Sequence, residues 1–314
     1  MRVFYGIGQL GRTRPKLKDV VAAIGVFDGV HLGHQEVIRR AVSEARRIGG
    51  TSMVVTFHPH PVAVLHPERF SSYITTLSQR LKIISELGVD ACLVVSFNKR
   101  FSALRPVDFV ERYLVRGLKV KKIVVGDDFH FGHDRVGTIK LLKAQGVKSG
   151  FVLEAKSIKK INNTYIKSSY IREQLAKGCV EGLERLLGRP YSVIGRVVHG
   201  DGRGRKLGFP TANLQQENVV ILPAGIYIAR VTVDGKQLNA LFYIGRRPSF
   251  KGARARLVLE VYIFDFKGGL YGRMINVDVL KRLRSDMRFP DGESLVEQIG
   301  KDVAAAREYF SALK

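Results

Sequence analysis

Apolar runs of strand length and amphipathic stretches of helix length take turns along the first half of the chain, and near residue 188 that alternation stops. "VVAAIGVF" (20–27) is continuously apolar, as a strand buried on both faces is. "HQEVIRRAVSEARRIG" follows it with Val37, Ile38, Ala41, Val42 and Ala45 on one helical face. The pair of patterns recurs in "TSMVVTF" and "SQRLKIISELG", in "ACLVVSF" and "PVDFVERYLVRGL", and in "KKIVVG" and "TIKLLKAQG", with "FVLEAKSI" as a last strand. A strand that leads through a helix to the next strand implies a crossover, and repeated crossovers imply a parallel sheet. Two further helix-like stretches, "SSYIREQLAKG" and "CVEGLERLLG", close this half.

After "GRPYSVIGRVVHG" strands dominate. "GIYIARVTV-DG-KQLNALFYIG" predicts a hairpin that turns at Asp234-Gly235. "RLVLEVYIFDF" and "RMINVDVL" add strands, and a helix from about Ser294 finishes the chain. The order predicts an α/β domain over residues 1–187 and a mostly β domain over 188–314. With 314 residues, 45% of them hydrophobic, each half has enough apolar material for a core. No apolar run reaches the roughly 18–20 residues that span a bilayer, and the opening "MRVFYGIGQLGRTRPKLKDV" has no signal-peptide pattern. The expected location is the cytoplasm, with no membrane partner. Cys92 and Cys179 are expected as buried thiols rather than a disulfide, and two cysteines alone make no zinc site.

"GVFDGVHLGH" (25–34) crowds three glycines and two histidines into the turn between the first strand and its helix. Glycines there let the backbone approach a ligand, and the helix that begins near Gly33 aims its free N–H groups at the same point. His31 and His34 lie three residues apart and can donate to phosphate oxygens, stabilising the charge that develops as pyrophosphate leaves. A glycine-rich turn with two surface histidines is the plain alternative. A second glycine cluster, "HGDGRGRKLGFPTANL" (199–214), carries Arg203, Arg205 and Lys206 and lacks the Gly-Lys-Ser/Thr ending of a Walker sequence. Thr211 and Asn213 offer hard oxygen ligands beside a phosphate-bound Mg²⁺. Glu260 stands inside the apolar run "LVLEVYI". It is either a general base aimed at a site or an outward-facing strand residue, and alternation along the strand permits both.

The first cluster resembles the HxGH signature of the nucleotidyltransferase superfamily, and the longer "GVFDGVHLGH" resembles its FAD synthetase branch. "TFHPHP", "GDDFHFGHDRVG", "KSSYIREQL" and "LLGRPY" follow in the order of that family. "GRGRKLGFPTAN" resembles the riboflavin kinase signature, followed in order by "YIGRRPSF", "LEVYIFDFKGGLYG", "LRSDMRF" and "LVEQIGKDVAAAREYF". Joined in this order, the halves resemble the bifunctional bacterial riboflavin kinase/FAD synthetase family. The resemblance implies a Rossmann-like nucleotidyltransferase domain and then a barrel-like kinase domain with a C-terminal helix. It implies phosphorylation of riboflavin by ATP in the second and adenylylation of FMN to FAD in the first, with Mg²⁺ or another divalent metal.

By the same resemblance, Gly25, Phe27, Asp28, Gly29, His31, His34, Asp128, Ser168, Ser169 and Arg172 surround the first ATP, with His31, His34 and Arg172 catalytic. Gly200, Gly202, Arg205, Gly208, Thr211 and Asn213 surround the second, with Thr211 and Asn213 on the metal. Glu260 is the catalytic base and Arg284 lies near the flavin. Three positions depart from the family pattern. Lys167 replaces a serine, His58 stands where an acid is commoner, and Tyr262 replaces a histidine. These departures leave open a chain that keeps one activity only. A net charge of +24 opens another class, a basic nucleic-acid-binding protein on a relic scaffold. The basic residues are spread along the chain without a Lys/Arg block, and His31, His34, Thr211 and Glu260 are all present. The expected partners are therefore riboflavin, FMN, FAD and ATP, with no nucleic acid and the oligomeric state open.

Overall fold

The computed structural model describes residues 1–12, 16–157, 160–161, 164–200, 202–217, 221–247 and 256–313. The end of the "YIGRRPSF" segment, residues 248–250, lies outside them. The chain divides into two compact units, Met1–Ser168 and Ser169–Lys314.

The first unit is built on β1 (Arg2–Tyr5), β2 (Val20–Ile24), β3 (Ser52–His58), β4 (Ala91–Ser96), β5 (Val120–Gly126) and β6 (Val152–Lys156). They lie in the order β1-β4-β3-β2-β5-β6, every neighbour parallel. On one face Val21, Ala23 and Val54 pack against Ile38 and Ala41 of helix α1 (Leu32–Arg47) and Ile84 of the helix Leu77–Glu86. On the other, Ala22, Ile24 and Val55 pack against Phe109, Leu114 and Leu142. Burial on both faces is why these strands read as unbroken apolar runs. The chain steps from β2 outward to β3 and β4, then returns to add β5 on the opposite flank of β2. The carboxyl ends of β2 and β5 therefore sit side by side with their loops leaving in opposite directions, the place where an open α/β sheet binds ligands. A two-rung ribbon, β7 (Lys160–Ile161) with β8 (Thr164–Tyr165), follows.

The second unit closes β9 (Tyr191–Val198), β10 (Ala212–Gln216), β11 (Gly225–Val233), β12 (Lys236–Arg247), β13 (Arg256–Ile263) and β14 (Met274–Ser285) into a barrel. Its order is β10-β13-β12-β11-β14-β9, all antiparallel, with β9 closing on β10. Tyr227, Ala229, Phe242, Ile244, Leu259 and Val261 fill the interior, so the residues between them face outward. Asp234 (φ 50°) and Gly235 (φ 78°) make the tight hairpin turn expected of an Asp-Gly pair. The C-terminal helix Gly292–Ser311 is capped by the Asp291 carboxylate, which accepts from the Ser294 N–H at 2.7 Å. It lays Ala306 and Phe310 over Ile228, Leu241 and Phe264 on the outside of the barrel.

Three local expectations are corrected and one is refined. The first strand ends at Ile24 rather than at residue 27, because Phe27 adopts φ 52° and leaves the extended region. "CVEGLERLLG" is helical only over Glu184–Leu187, because Gly178 and Gly182 hold left-handed conformations at φ 77° and 83°. The stretch from Pro106 starts as an α-helix to Phe109 and continues over Val110–Leu118 as a π-helix. Cys92 is buried, its thiol pushed up to about 12 by desolvation, but Cys179 is exposed beyond the end of its helix. Among the described residues no helix is long and apolar enough to cross a membrane.

Candidate active sites

In the first unit the loop leaving β2 is tightly wound: Phe27, Gly29 and Val30 all hold positive φ, at 52°, 81° and 38°. A β-branched residue pays for such a conformation, on the order of 1–3 kcal/mol, and strain of this kind collects at functional sites. The loop is held from one side by the segment Ile74–Arg80. The Asp28 carboxylate, 1% exposed, accepts from the Ile74 N–H at 3.0 Å and from the Thr75 N–H at 3.1 Å. The Gly29 N–H donates to the Thr75 hydroxyl at 3.1 Å. Arg80, wholly buried, places Nη1 at 3.0 Å from the Val26 carbonyl oxygen and 3.1 Å from that of Phe57. It thereby ties the loop that follows β2 to the end of β3.

The frame presents the two histidines. His31 is the N-cap of α1, and its Nδ1 accepts from the His34 N–H at 3.3 Å. An accepting Nδ1 puts the ring proton of the neutral form on Nε2. The two imidazoles stack with centroids 3.5 Å apart and planes 20° off parallel, and Phe27 meets His34 edge-on at 5.2 Å. Asp128 lies on the exposed turn after β5, the neighbouring strand, and its carbonyl oxygen is 2.8 Å from His130 Nδ1. Ser168 donates its hydroxyl to the Asp28 carbonyl at 2.9 Å. Gly25 follows directly on β2. The structure thus brings Gly25, Phe27, Asp28, Gly29, His31, His34 and Ser168 together. Ser169 and Arg172 lie on the helix headed by Ser168, beyond the division between the units. His58 ends β3, where burial first and the Arg80 charge second hold its imidazole below the ordinary range.

In the second unit, strand pairing builds the site. Asn213 on β10 is opposite Glu260 on β13, and the Thr211 hydroxyl donates to the Glu260 carboxylate at 3.0 Å. The glycine loop folds over the same strand. A Cβ on Gly200 would collide with the Asn213 amide, and one on Gly204 would lie 3.1 Å from Thr211 Oγ1. Only a residue without a side chain fits at these approaches. Gly202 and Gly208 flank the helical turn Arg203–Lys206, from which Arg205 is exposed. Arg284 is held in place by an ion pair. Nε and Nη2 donate to the buried Asp302 at 2.9 and 2.7 Å, and Nη1 donates to the Ser285 carbonyl at 3.1 Å. Tyr262 packs edge-on against Phe209 at 5.6 Å.

The donors fit a divalent cation shared with a nucleotide. Among the described residues no group of three or more His, Cys, Asp or Glu could hold a metal by itself. A hydroxyl, an amide and a carboxylate beside a glycine loop are hard oxygen donors of the kind Mg²⁺ shares with phosphates. The sequence reading missed Arg80 and Thr75. The signal for Arg80 was readable: with Leu77 and Ile84 it falls on the apolar face of its helix, where an arginine is buried by periodicity.

A Rossmann-like sheet with a strained glycine loop at its switch point, followed by a closed barrel with a Thr-Asn-Glu cluster, defines a nucleotidyltransferase unit joined to a kinase unit. The FAD synthetase model matches residues 13–170 and the riboflavin kinase model residues 187–310. The chain belongs to the bifunctional riboflavin kinase/FMN adenylyltransferase family. It is 40% identical to the member from Pseudomonas fluorescens over 95% of both chains. It is 41% identical to that from Bacillus subtilis over 94% of this chain and 93% of the other. A solved structure described as a macrolide-efflux protein from Streptococcus pneumoniae superposes with a TM-score of 0.86 at 30% identity, covering 98% of this chain and 99% of that one.

Proposed function

We propose that this chain is a transferase with two activities: riboflavin + ATP → FMN + ADP, then FMN + ATP → FAD + pyrophosphate. One observation carries the reading: relatives about two-fifths identical over nearly the whole of both chains are named for both activities. The kinase step belongs to the barrel. Glu260 accepts the proton of the riboflavin 5′-hydroxyl as that oxygen attacks the γ-phosphorus. Mg²⁺, held by Thr211 and Asn213 together with the phosphates, would neutralise charge on the transferred group. The Thr211–Glu260 hydrogen bond supports these roles, because it sets the carboxylate beside the phosphate loop before substrate arrives. Gly200, Gly202, Arg205 and Gly208 line the path of the triphosphate.

The adenylyl step belongs to the first half. A phosphate oxygen of FMN attacks the α-phosphorus of ATP and pyrophosphate leaves. His31, whose neutral ring carries its proton on Nε2, and His34 stabilise that charge, with Ser168, Ser169 and Arg172 on the phosphates and Asp128 on the nucleotide. We keep the functional boundary at 187/188, so that the "KSSYIREQL" motif serves the adenylyltransferase. A consumer of ATP with two unpaired thiols suits the cytoplasm.

The test is incubation of the full chain with riboflavin, ATP and Mg²⁺ and chromatography for FMN and FAD. Replacing His31 and His34 together by Ala is expected to cut FAD formation at least ~10²-fold, the usual cost of removing a stabiliser of developing charge, and to spare FMN formation. Glu260→Gln is expected to slow FMN formation ~10²–10⁴-fold and to leave FAD formation from supplied FMN intact. Equal loss of both activities in either variant overturns the two-site assignment.

A further inference from the structure

The barrel carries one transverse row of directly paired residues that runs through the site. Asn213 on β10 faces Glu260 on β13, Glu260 faces Tyr243 on β12, Tyr243 faces Ile226 on β11, and Ile226 faces Arg284 on β14. Directly opposed residues share a face of the sheet, with Cβ atoms ~4.5–5.5 Å apart. Their neighbours Leu259, Val261, Phe242, Ile244 and Tyr227 are buried inside, so the row lies on the outside of the barrel. Ile226 there packs with the side chains under the C-terminal helix.

The two ends of the row differ in chemistry. On the β10 side the glycine loop lies over Thr211 and Asn213, which leaves polar oxygens and backbone groups for a triphosphate. On the β12 side stand a phenol ring and an isoleucine, with the Arg284–Asp302 ion pair at the far end of the row. The Tyr243 hydroxyl lies 3.3 and 3.4 Å from the two carboxylate oxygens of Asp286, a residue of the segment that follows β14, so the ring is tethered at its polar end. Phosphoryl transfer needs entering and leaving oxygens roughly in line on opposite sides of phosphorus. With the donor phosphates on the β10 side of Glu260, the acceptor hydroxyl must come from the β12 side.

We infer that Tyr243 is a substrate-binding residue of the kinase site: its ring, tethered by Asp286, carries the flat apolar ring system of the acceptor and sets its hydroxyl against Glu260. The assignment rests on the kinase reading of the barrel. Flat aromatic acceptors suit it, because an offset ring contact adds to the apolar burial. A residue on this side acts on the acceptor and leaves the nucleotide alone.

The experiment is steady-state FMN formation by the full chain, with riboflavin and ATP varied separately, in Tyr243→Ala, Tyr243→Leu and Tyr243→Phe. The alanine variant is expected to raise the KM for riboflavin about tenfold and to hold the KM for ATP within about twofold. Tyr243→Leu keeps apolar volume for the fold and is expected to show most of the same rise. Tyr243→Phe keeps the ring, loses the tether, and is expected to raise the riboflavin KM only about two- to threefold. An unchanged riboflavin KM in the alanine and leucine variants overturns the assignment, as does an ATP KM that rises in parallel. A parent chain that makes no FMN overturns the kinase reading itself, an outcome distinct from a parent that makes FMN and a Tyr243 variant that matches it.

Discussion

Asp28 sits in the middle of the nucleotide motif, yet its carboxylate is turned inward, onto two backbone N–H groups and the Thr75 hydroxyl at 3.3 Å. Its work is to hold Gly29 and His31 in place. Asp28→Asn keeps the volume and aims an NH₂ group at donors, and an unmet buried donor costs about 1–3 kcal/mol. The expected result is a lower melting temperature for the first unit and reduced FAD formation, with FMN formation unchanged. Full FAD formation with an unchanged melting temperature would show that the loop holds itself. The motif letters of this site were legible in the sequence; its division of labour was not. Asp28, His31 and Phe27 stand within five residues, and nothing in one dimension says that the first is a brace, the second a helix cap, and the third an edge-on partner of His34. Arg284 is the same lesson in the barrel, since its partner Asp302 lies on a different element.

At the level of elements, α1 is locked to the sheet by charge as well as by its apolar stripe. Glu44, buried on the inner side of α1, accepts from Arg47 and from Lys122 of β5 at 3.0 Å each, and Arg40 bridges to Glu154 of β6 at 2.7 Å. Those partners, Arg47 first and Lys122 next, hold the Glu44 carboxyl down at about 2 from its ordinary 4.5. A depressed acid stabilises the fold fully above its unfolded value and loses that contribution as pH falls toward the folded one. Stability of the first unit is therefore expected to decline between about pH 4.5 and 2. Glu44→Gln is expected to lower the melting temperature at neutral pH and to flatten the decline. A variant whose acid limb matches the parent's would assign the loss to other carboxylates. The long crossover elements were legible because buried parallel strands and amphipathic helices leave strong periodic marks. The four-residue β1 left none, and the glycines that break the stretch after Lys177 were outweighed by the apolar spacing around them.

For the whole molecule, the surplus of positive charge has a consequence that separates the substrates. ATP and FMN are anions and riboflavin is uncharged. At about 0.1 M salt the screening length is ~10 Å, so attraction beyond direct contact is removed first. Raising salt from about 0.05 to 0.3 M is expected to raise the KM for ATP and FMN several-fold and to leave that for riboflavin flat. A parallel rise for riboflavin would mean that salt acts on the fold rather than on encounter. The barrel, by contrast, bears on how the protein is made. Its closing seam joins β9, at Tyr191–Val198, to β14, which begins at Met274. Every strand of the first sheet precedes residue 157, so a chain emerging from the ribosome completes that sheet while β9 still waits for a partner made far later. An interrupted chain that stops short of Met274 would leave β9 and β11 each with one bare edge, the backbone signal that invites wrong pairing. Errors of translation late in this message thus fall on the flavin-phosphorylating half, while the adenylylating half is already folded.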